Sequence, residues 1–183
     1  MRCARAVFPL LAVVAAACSP AGSGSADALF EAQIPRTIRV ESPAFTEGET
    51  VPTRFTCDGE GLSPPLAWSG VPEGAMELAV VVDDPDAPGG SYVHWVVLGL
   101  DPGLGGLDEG VLPAGAGQAE NSRGGTGYLG PCPPAGSEHG YRFAVYALRE
   151  GPGVPDGAGT GEALDAIRAA AIAGGVLNGR YGR

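Results

Sequence analysis

Three carboxylates, two prolines and a histidine meet in the stretch Asp83-Asp84-Pro85-Asp86-Ala87-Pro88-Gly89-Gly90-Ser91-Tyr92-Val93-His94-Trp95. A carboxylate beside an imidazole fixes which ring nitrogen carries the proton and favours the charged ring. Tyr92 and His94 lie two apart in a strand-like run, so they share a face. Asp84 and Asp86 end the preceding apolar run, where a carboxylate is placed to hold His94 in one tautomer. The same acids also suit a plain turn, because Asp-Pro and Asp-Ala-Pro form turns and Asp accepts from its own backbone. Spacing within this stretch does not choose between the two.

A second stretch repeats the layout. Gly127-Tyr128-Leu129-Gly130-Pro131-Cys132-Pro133-Pro134-Ala135-Gly136 runs into His139-Gly140-Tyr141. Prolines fix the backbone and expose carbonyls, and glycines let a ligand come close. A rigid loop with His139 on its surface is the alternative. Each stretch sets a proline turn, a His and a Tyr beside an apolar strand, which suggests two walls of one pocket. Other chemistries lack their residues. There is no Gly-x-Ser-x-Gly, no phosphate loop and no lysine to serve one. A zinc site from Cys57, Cys132, His94 and His139 has no CxxC-like or HxxxH-like spacing, so no metal and no cofactor is expected. The constellation is expected to bind rather than catalyse, because no residue in it is an activated nucleophile.

Strands must hold these groups. Glu77–Val82 and Tyr92–Leu100 are continuous apolar runs, as in central strands covered on both faces. Tyr141–Arg149 alternates, with Tyr141, Phe143, Val145 and Ala147 on one face and Arg142, Ala144, Tyr146 and Leu148 on the other. Shorter strands are expected over Thr37–Ser42, Thr50–Thr56 and Leu66–Trp68. Residues 101–127 form a long Gly-rich loop, of a length that is usually functional or mobile. One late helix is expected over about 160–173, with Thr160 as N-cap and the stripe Leu164, Ile167, Ala171 and Ile172. Gly174-Gly175 is read as its stop, and Val176–Arg183 as a tail. The chain of 183 residues, with 31 Gly and 17 Pro, reads as a single, mainly β domain. The formal net charge is −10 and every basic residue is Arg. An acidic chain without a basic cluster argues against nucleic acid and against electrostatic adhesion to anionic membranes.

Residues 1–17 read as an export signal: Arg2 and Arg5, a short apolar run, then Ala15-Ala16-Ala17 before Cys18. The stretch resembles a bacterial lipoprotein signal, with Cys18 as the lipidated residue, although Ala15 stands where a lipobox prefers Leu; plain secretion is the alternative. Residues 18–36 then form the anchor site and a Gly/Ser/Ala-rich tether, ahead of a domain over 37–183. The product is either a membrane-anchored lipoprotein, periplasmic or on the cell surface, or a secreted protein, and any membrane contact is through the anchor alone. Export makes a Cys57–Cys132 bridge reasonable, with two buried thiols as the alternative.

Asp84-Pro85-Asp86-Ala87-Pro88 with His94-Trp95, and Gly130-Pro131-Cys132-Pro133-Pro134-x-Gly136 with His139-x-Tyr141-x-Phe143, resemble the two signature regions of the phosphatidylethanolamine-binding protein family. The match is more specifically to its bacterial Raf-kinase-inhibitor-like branch. Cys57-Asp58-Gly59, Ser63-Pro64-Pro65-Leu66-x-Trp68 and Tyr181-x-Arg183 support it. The resemblance implies a large central β-sheet, a smaller sheet packed on it, few helices and a pocket for a small anion or phospholipid head group. It implies pocket roles for Asp84, Pro88, Tyr92, His94, Leu129, Pro133, Pro134, His139 and Tyr141. His94, His139 and Tyr141 are expected to donate to the anion, with Asp84 orienting a histidine and keeping it partly protonated. The alternative drawn from some relatives is a protein-interaction module that inhibits a kinase or peptidase.

Overall fold

The computed structural model describes residues 26–27 and 33–183. The export signal, Cys18 and most of the tether lie outside the described residues. Eight strands form two sheets. The three-stranded sheet has the order β1 (Arg39–Glu41), β2 (Leu66–Ser69), β5 (Gly106–Leu107). The five-stranded sheet has the order β6 (Gly117–Gln118), β4 (Tyr92–Leu100), β3 (Glu77–Asp84), β7 (Glu138–Leu148), β8 (Ala171–Gly182), with every pairing antiparallel. A helix, α1 (Thr160–Ala170), precedes β8. The mainly β, two-sheet expectation is met.

β3 is buried from Leu78 onward because both its faces are covered. Leu78, Val80 and Val82 pack with Trp95, Val97, Phe143 and Val145 against Val40, Phe55, Leu66 and Trp68 of the small sheet and its loops. Ala79 and Val81 face the other way, joining Val96, Ala144 and Tyr146 under Leu164 and Ile167 of α1. The two faces expected for β7 are the two faces observed.

Three local expectations are corrected. Thr50–Thr56 is not a strand: Thr50 makes one parallel bridge to Arg180, and Thr53–Phe55 closes a single 3-10 turn. Pro52 cannot donate to a ladder, and the turn places Phe55 in the core. Helix α1 stops at Ala170 rather than 173, and Gly159, not Thr160, is its N-cap. The Thr160 hydroxyl instead donates to the Glu120 carbonyl at 2.6 Å. Beyond the helix the chain becomes β8, paired with β7 along its length, so Ala171 and Ile172 are strand residues and no tail exists. Gly174-Gly175 lies within β8. Ile38 donates to the Gly174 carbonyl, and a Cβ on Gly175 would sit 2.0 Å from the Ile38 carbonyl oxygen. The glycine pair therefore admits a close backbone neighbour on the sheet edge.

Candidate functional site

The ends of β3, β4 and β7 converge on a cavity of about 240 Å³. Its lining includes Asp84, Pro88, Tyr92, His94, Leu129, Pro133, Pro134 and His139. The two stretches singled out by sequence thus form opposite walls of one pocket. Tyr141 stands behind the lining, its ring 5.4 Å from that of His94 in an edge-on contact.

The ladder between β3 and β4 slips by one residue here. Val82 pairs with Trp95 and Asp83 with Val93, so His94 is an extra residue in the strand, a β-bulge. The bulge re-aims the imidazole into the cavity next to Tyr92, ring centroids 5.2 Å apart. Leu129 holds His94 twice. His94 Nδ1 lies 2.7 Å from the Leu129 carbonyl, and the Leu129 N–H donates to the His94 carbonyl at 3.0 Å. A carbonyl only accepts, so Nδ1 carries the hydrogen and Nε2 is left for a ligand. His94 is buried, and burial holds its pKa below the ordinary 6.5. The Leu129 carbonyl and the Asp84 and Asp83 carboxylates work the other way, and the Arg123 charge reinforces the fall.

Asp84 partners the other histidine. His139 Nδ1 donates to Asp84 Oδ2 at 2.8 Å, in a pair almost wholly buried. The expected carboxylate–imidazole contact is real, but it runs between the two stretches instead of within the first. His94 is correspondingly governed by burial, not by a carboxylate that keeps it charged. The turn reading of the acids holds as well: Asp84 Oδ1 accepts the Asp86 N–H at 2.8 Å. Asp86 Oδ2 then accepts the Gly140 N–H at 2.7 Å, so consecutive acidic positions bolt the first loop to the start of β7. Asp83 points to the opposite face, is fully buried, and pairs with Arg142 and Ser91. The Tyr141 hydroxyl is buried beside the Asp84 carboxylate and the Cys132 backbone. Burial first, then the Asp84 carboxylate, raises its pKa, so it stays a protonated donor.

The proline wall is tied from behind. Cys57 and Cys132 form a disulfide across a sequence separation of 75. Cys57 N–H donates to the Pro131 carbonyl, and a Cβ on Gly130 would sit 2.7 Å from the Thr56 carbonyl carbon. Only glycine allows that approach. Asp58 receives the Tyr181 hydroxyl at 2.8 Å and Arg183 Nε at 3.0 Å, which joins Cys57-Asp58-Gly59 to the last strand. With both thiols used in the bridge, neither is available as a thiolate ligand for zinc.

Arg123 also lines the pocket and was missed by sequence reasoning. The signal was present: it is the lone basic residue between Arg54 and Arg142. It sits in a loop wound around buried Asn121, whose Oδ1 accepts the Arg123 N–H at 3.0 Å. Ser122 in turn pairs with Val93 through its N–H and its hydroxyl oxygen, which fixes the loop beside the bulge. The long 101–127 segment is thus built into the sheet edge, contributing β5 and β6 on the way.

Known proteins resemble this chain in sequence and in fold. A family model described as phosphatidylethanolamine-binding protein matches residues 41–182. LppC of Mycobacterium tuberculosis, named a lipoprotein, is 48% identical over 146 residues, covering 79% of this chain and 72% of that one. A UPF0098 protein of Methanothermobacter thermautotrophicus is 41% identical over 151 residues, covering 80% and 99%. Among solved structures, the phosphatidylethanolamine-binding protein homologue CT736 of Chlamydia trachomatis superposes with a TM-score of 0.75 at 36% identity, covering 81% of this chain and 99% of that one. YbcL of Escherichia coli, described as a member of the mammalian PEBP family, gives 0.74 at 34% identity, covering 80% and 99%. Both signature stretches, the bulged strand and the disulfide-backed proline wall fall inside the matched span, and the chain belongs to the phosphatidylethanolamine-binding protein family.

Proposed function

We propose that the protein is an exported binding protein, anchored through lipidated Cys18, whose pocket takes a small anion or a phospholipid head group. One observation carries the ligand reading. Two imidazoles from different strands line one small cavity, each with Nδ1 already committed, to Leu129 and to Asp84. Each ring therefore keeps Nε2 for an incoming group, and Arg123 supplies a fixed positive charge at the lining. Pro88, Pro133 and Pro134 give walls that lose little freedom on binding. The anchor reading rests on the residues before Cys18 and on the lipoprotein name of a relative.

The reading is of binding, not catalysis. Cys132 on the pocket wall is consumed in the disulfide and offers no thiolate. Burial favours the neutral form of the His94 ring, so an anion that needs an N–H from Nε2 must bring a proton with it. Isothermal titration with inorganic phosphate tests the pocket. Binding that weakens at least tenfold in both His94→Ala and His139→Ala supports it, and unchanged binding in either overturns it. Partner capture from an extract that ignores both substitutions would favour the kinase- or peptidase-inhibitor alternative instead.

A further inference from the structure

The described residues closest to Cys18 in sequence, Ala26 and Asp27, are tied to one end of the sheet. Asp27 Oδ1 accepts from the Arg142 guanidinium at 2.9 Å, and Ala26 beside it is fully buried with Ala79, Val81 and Val93. Arg142 pairs in register with Asp83, next to pocket residue Asp84, and follows Tyr141 on β7. The contact therefore lies at the pocket end of β3 and β7, on the face away from the cavity. Nine positions separate Asp27 from Cys18, which lets the chain reach at most about 30 Å between them and about 16 Å as a Gly/Ser-rich coil. Without that contact the first backbone tie to the sheet among the described residues is Pro35, whose carbonyl accepts from Gly174, and the reach doubles to about 60 Å. The far end of β3, at Glu77, lies about 23 Å along the strand from Asp84.

We infer that the Asp27–Arg142 contact orients the anchored domain so that the pocket rim faces the lipid surface. This rests on the anchor half of the proposed function and adds a membrane-facing surface to it. The rim suits close approach without insertion. Gly89, Gly90, Gly124 and Gly125 surround the mouth residues, while the exposed large apolar side chains among the described residues are Met76, Val111 and Leu112. Met76, the most exposed of them, sits just before β3, at the opposite end from the pocket. The latch sets the orientation that apolar anchoring residues would otherwise have to provide.

The test uses the chain from Cys18 onward, coupled through Cys18 to a maleimide lipid in phosphatidylcholine vesicles. A donor dye is clicked onto an azide-bearing residue placed at Glu138, at the pocket end, or at Met76, at the far end. Both positions are exposed. Energy transfer to an acceptor on the lipid head groups is expected to be roughly twofold or more higher from position 138, given a separation of about 23 Å. Asp27→Ala is expected to erase the difference without changing phosphate affinity. Equal transfer from both positions, higher transfer from position 76, or a difference that survives Asp27→Ala overturns the inference. Flotation of the full chain from cells tests natural lipidation separately, so failure of the anchor and failure of the latch are distinguishable.

Discussion

Removing the disulfide by Cys57→Ser with Cys132→Ser tests how the proline wall is held. The bridge closes a sequence separation of 75, which contains β2, β3, β4 and the whole 101–127 segment. Chain-entropy arithmetic for a loop of that length gives about 4.5 kcal/mol at 25 °C. That is a large part of the ~5–15 kcal/mol by which domains are stable. The folded-state neighbours also matter, because Cys57 N–H still meets Pro131 and Gly130 still touches Thr56 after both sulfurs become hydroxyls. The wall is therefore expected to stay near its place while the unfolded chain gains freedom. Urea titration of the double variant should show a loss of about 3–5 kcal/mol. Phosphate titration well below the unfolding midpoint should show only a few-fold weaker binding. A loss under about 1 kcal/mol would refute the loop-closing argument. A full-sized loss of stability with unchanged binding would refute the idea that the bridge supports the pocket.

Sulfate affinity should rise as pH falls from 8 to 6, by up to about tenfold per unit, because an anion at Nε2 stabilises the charged form of a ring that burial keeps neutral; a flat titration curve in the native chain, or an unchanged slope in His94→Ala, contradicts this. The sign for folding is opposite. A lowered His94 pKa means the unfolded chain takes up the proton first, so that residue's contribution to stability declines as pH falls below 6.5, measurable by urea melts with and without His94→Ala. Asp83→Ala removes the buried partner of the Arg142 guanidinium, which keeps the half-exposed Asp27, and should cost about 1–3 kcal/mol, against less than about 1 kcal/mol for Glu41→Ala in the exposed Arg39 pair. Gly130→Ala should cost about 1–3 kcal/mol and weaken phosphate binding, since the new Cβ must push the wall away from Thr56; a variant as stable as the parent would show that the two loops part freely.

The strongest strands were legible because their residues carry the signal locally. β3 and β4 are unbroken apolar runs, and β7 alternates cleanly onto two observed core faces. The pairing of two proline-histidine stretches into one pocket was legible by their repeated layout. β8 was not, because Gly174-Gly175 reads as a stop, whereas Gly175 admits the Ile38 backbone and Gly179 the Val51 and Phe45 side chains closer than a Cβ would let them come. That need is set by chains far away in sequence. The partner of Asp84 escaped for the same reason: His94 is ten residues away and His139 is 55, and only the register of β3 on β7 brings the latter close. Arg123 had a local signal, its isolation as a cation, but its loop is placed by hydrogen bonds to β4 that no periodicity announces.

The bulge gives His94 an unusual standing in its own strand. Val93 packs toward α1, Trp95 toward the small sheet, Val96 back toward α1 and Val97 again toward the small sheet. From Val93 to Leu98 the alternation is regular once His94 is skipped, and a second register shift follows at Gly99. Deleting the residue outright would leave Val93 and Trp95 as natural successive partners of Asp83 and Val82. Most single-residue deletions in a central strand turn its apolar side chains to the wrong face. At this position a deletion would straighten the ladder and leave the apolar faces where they are.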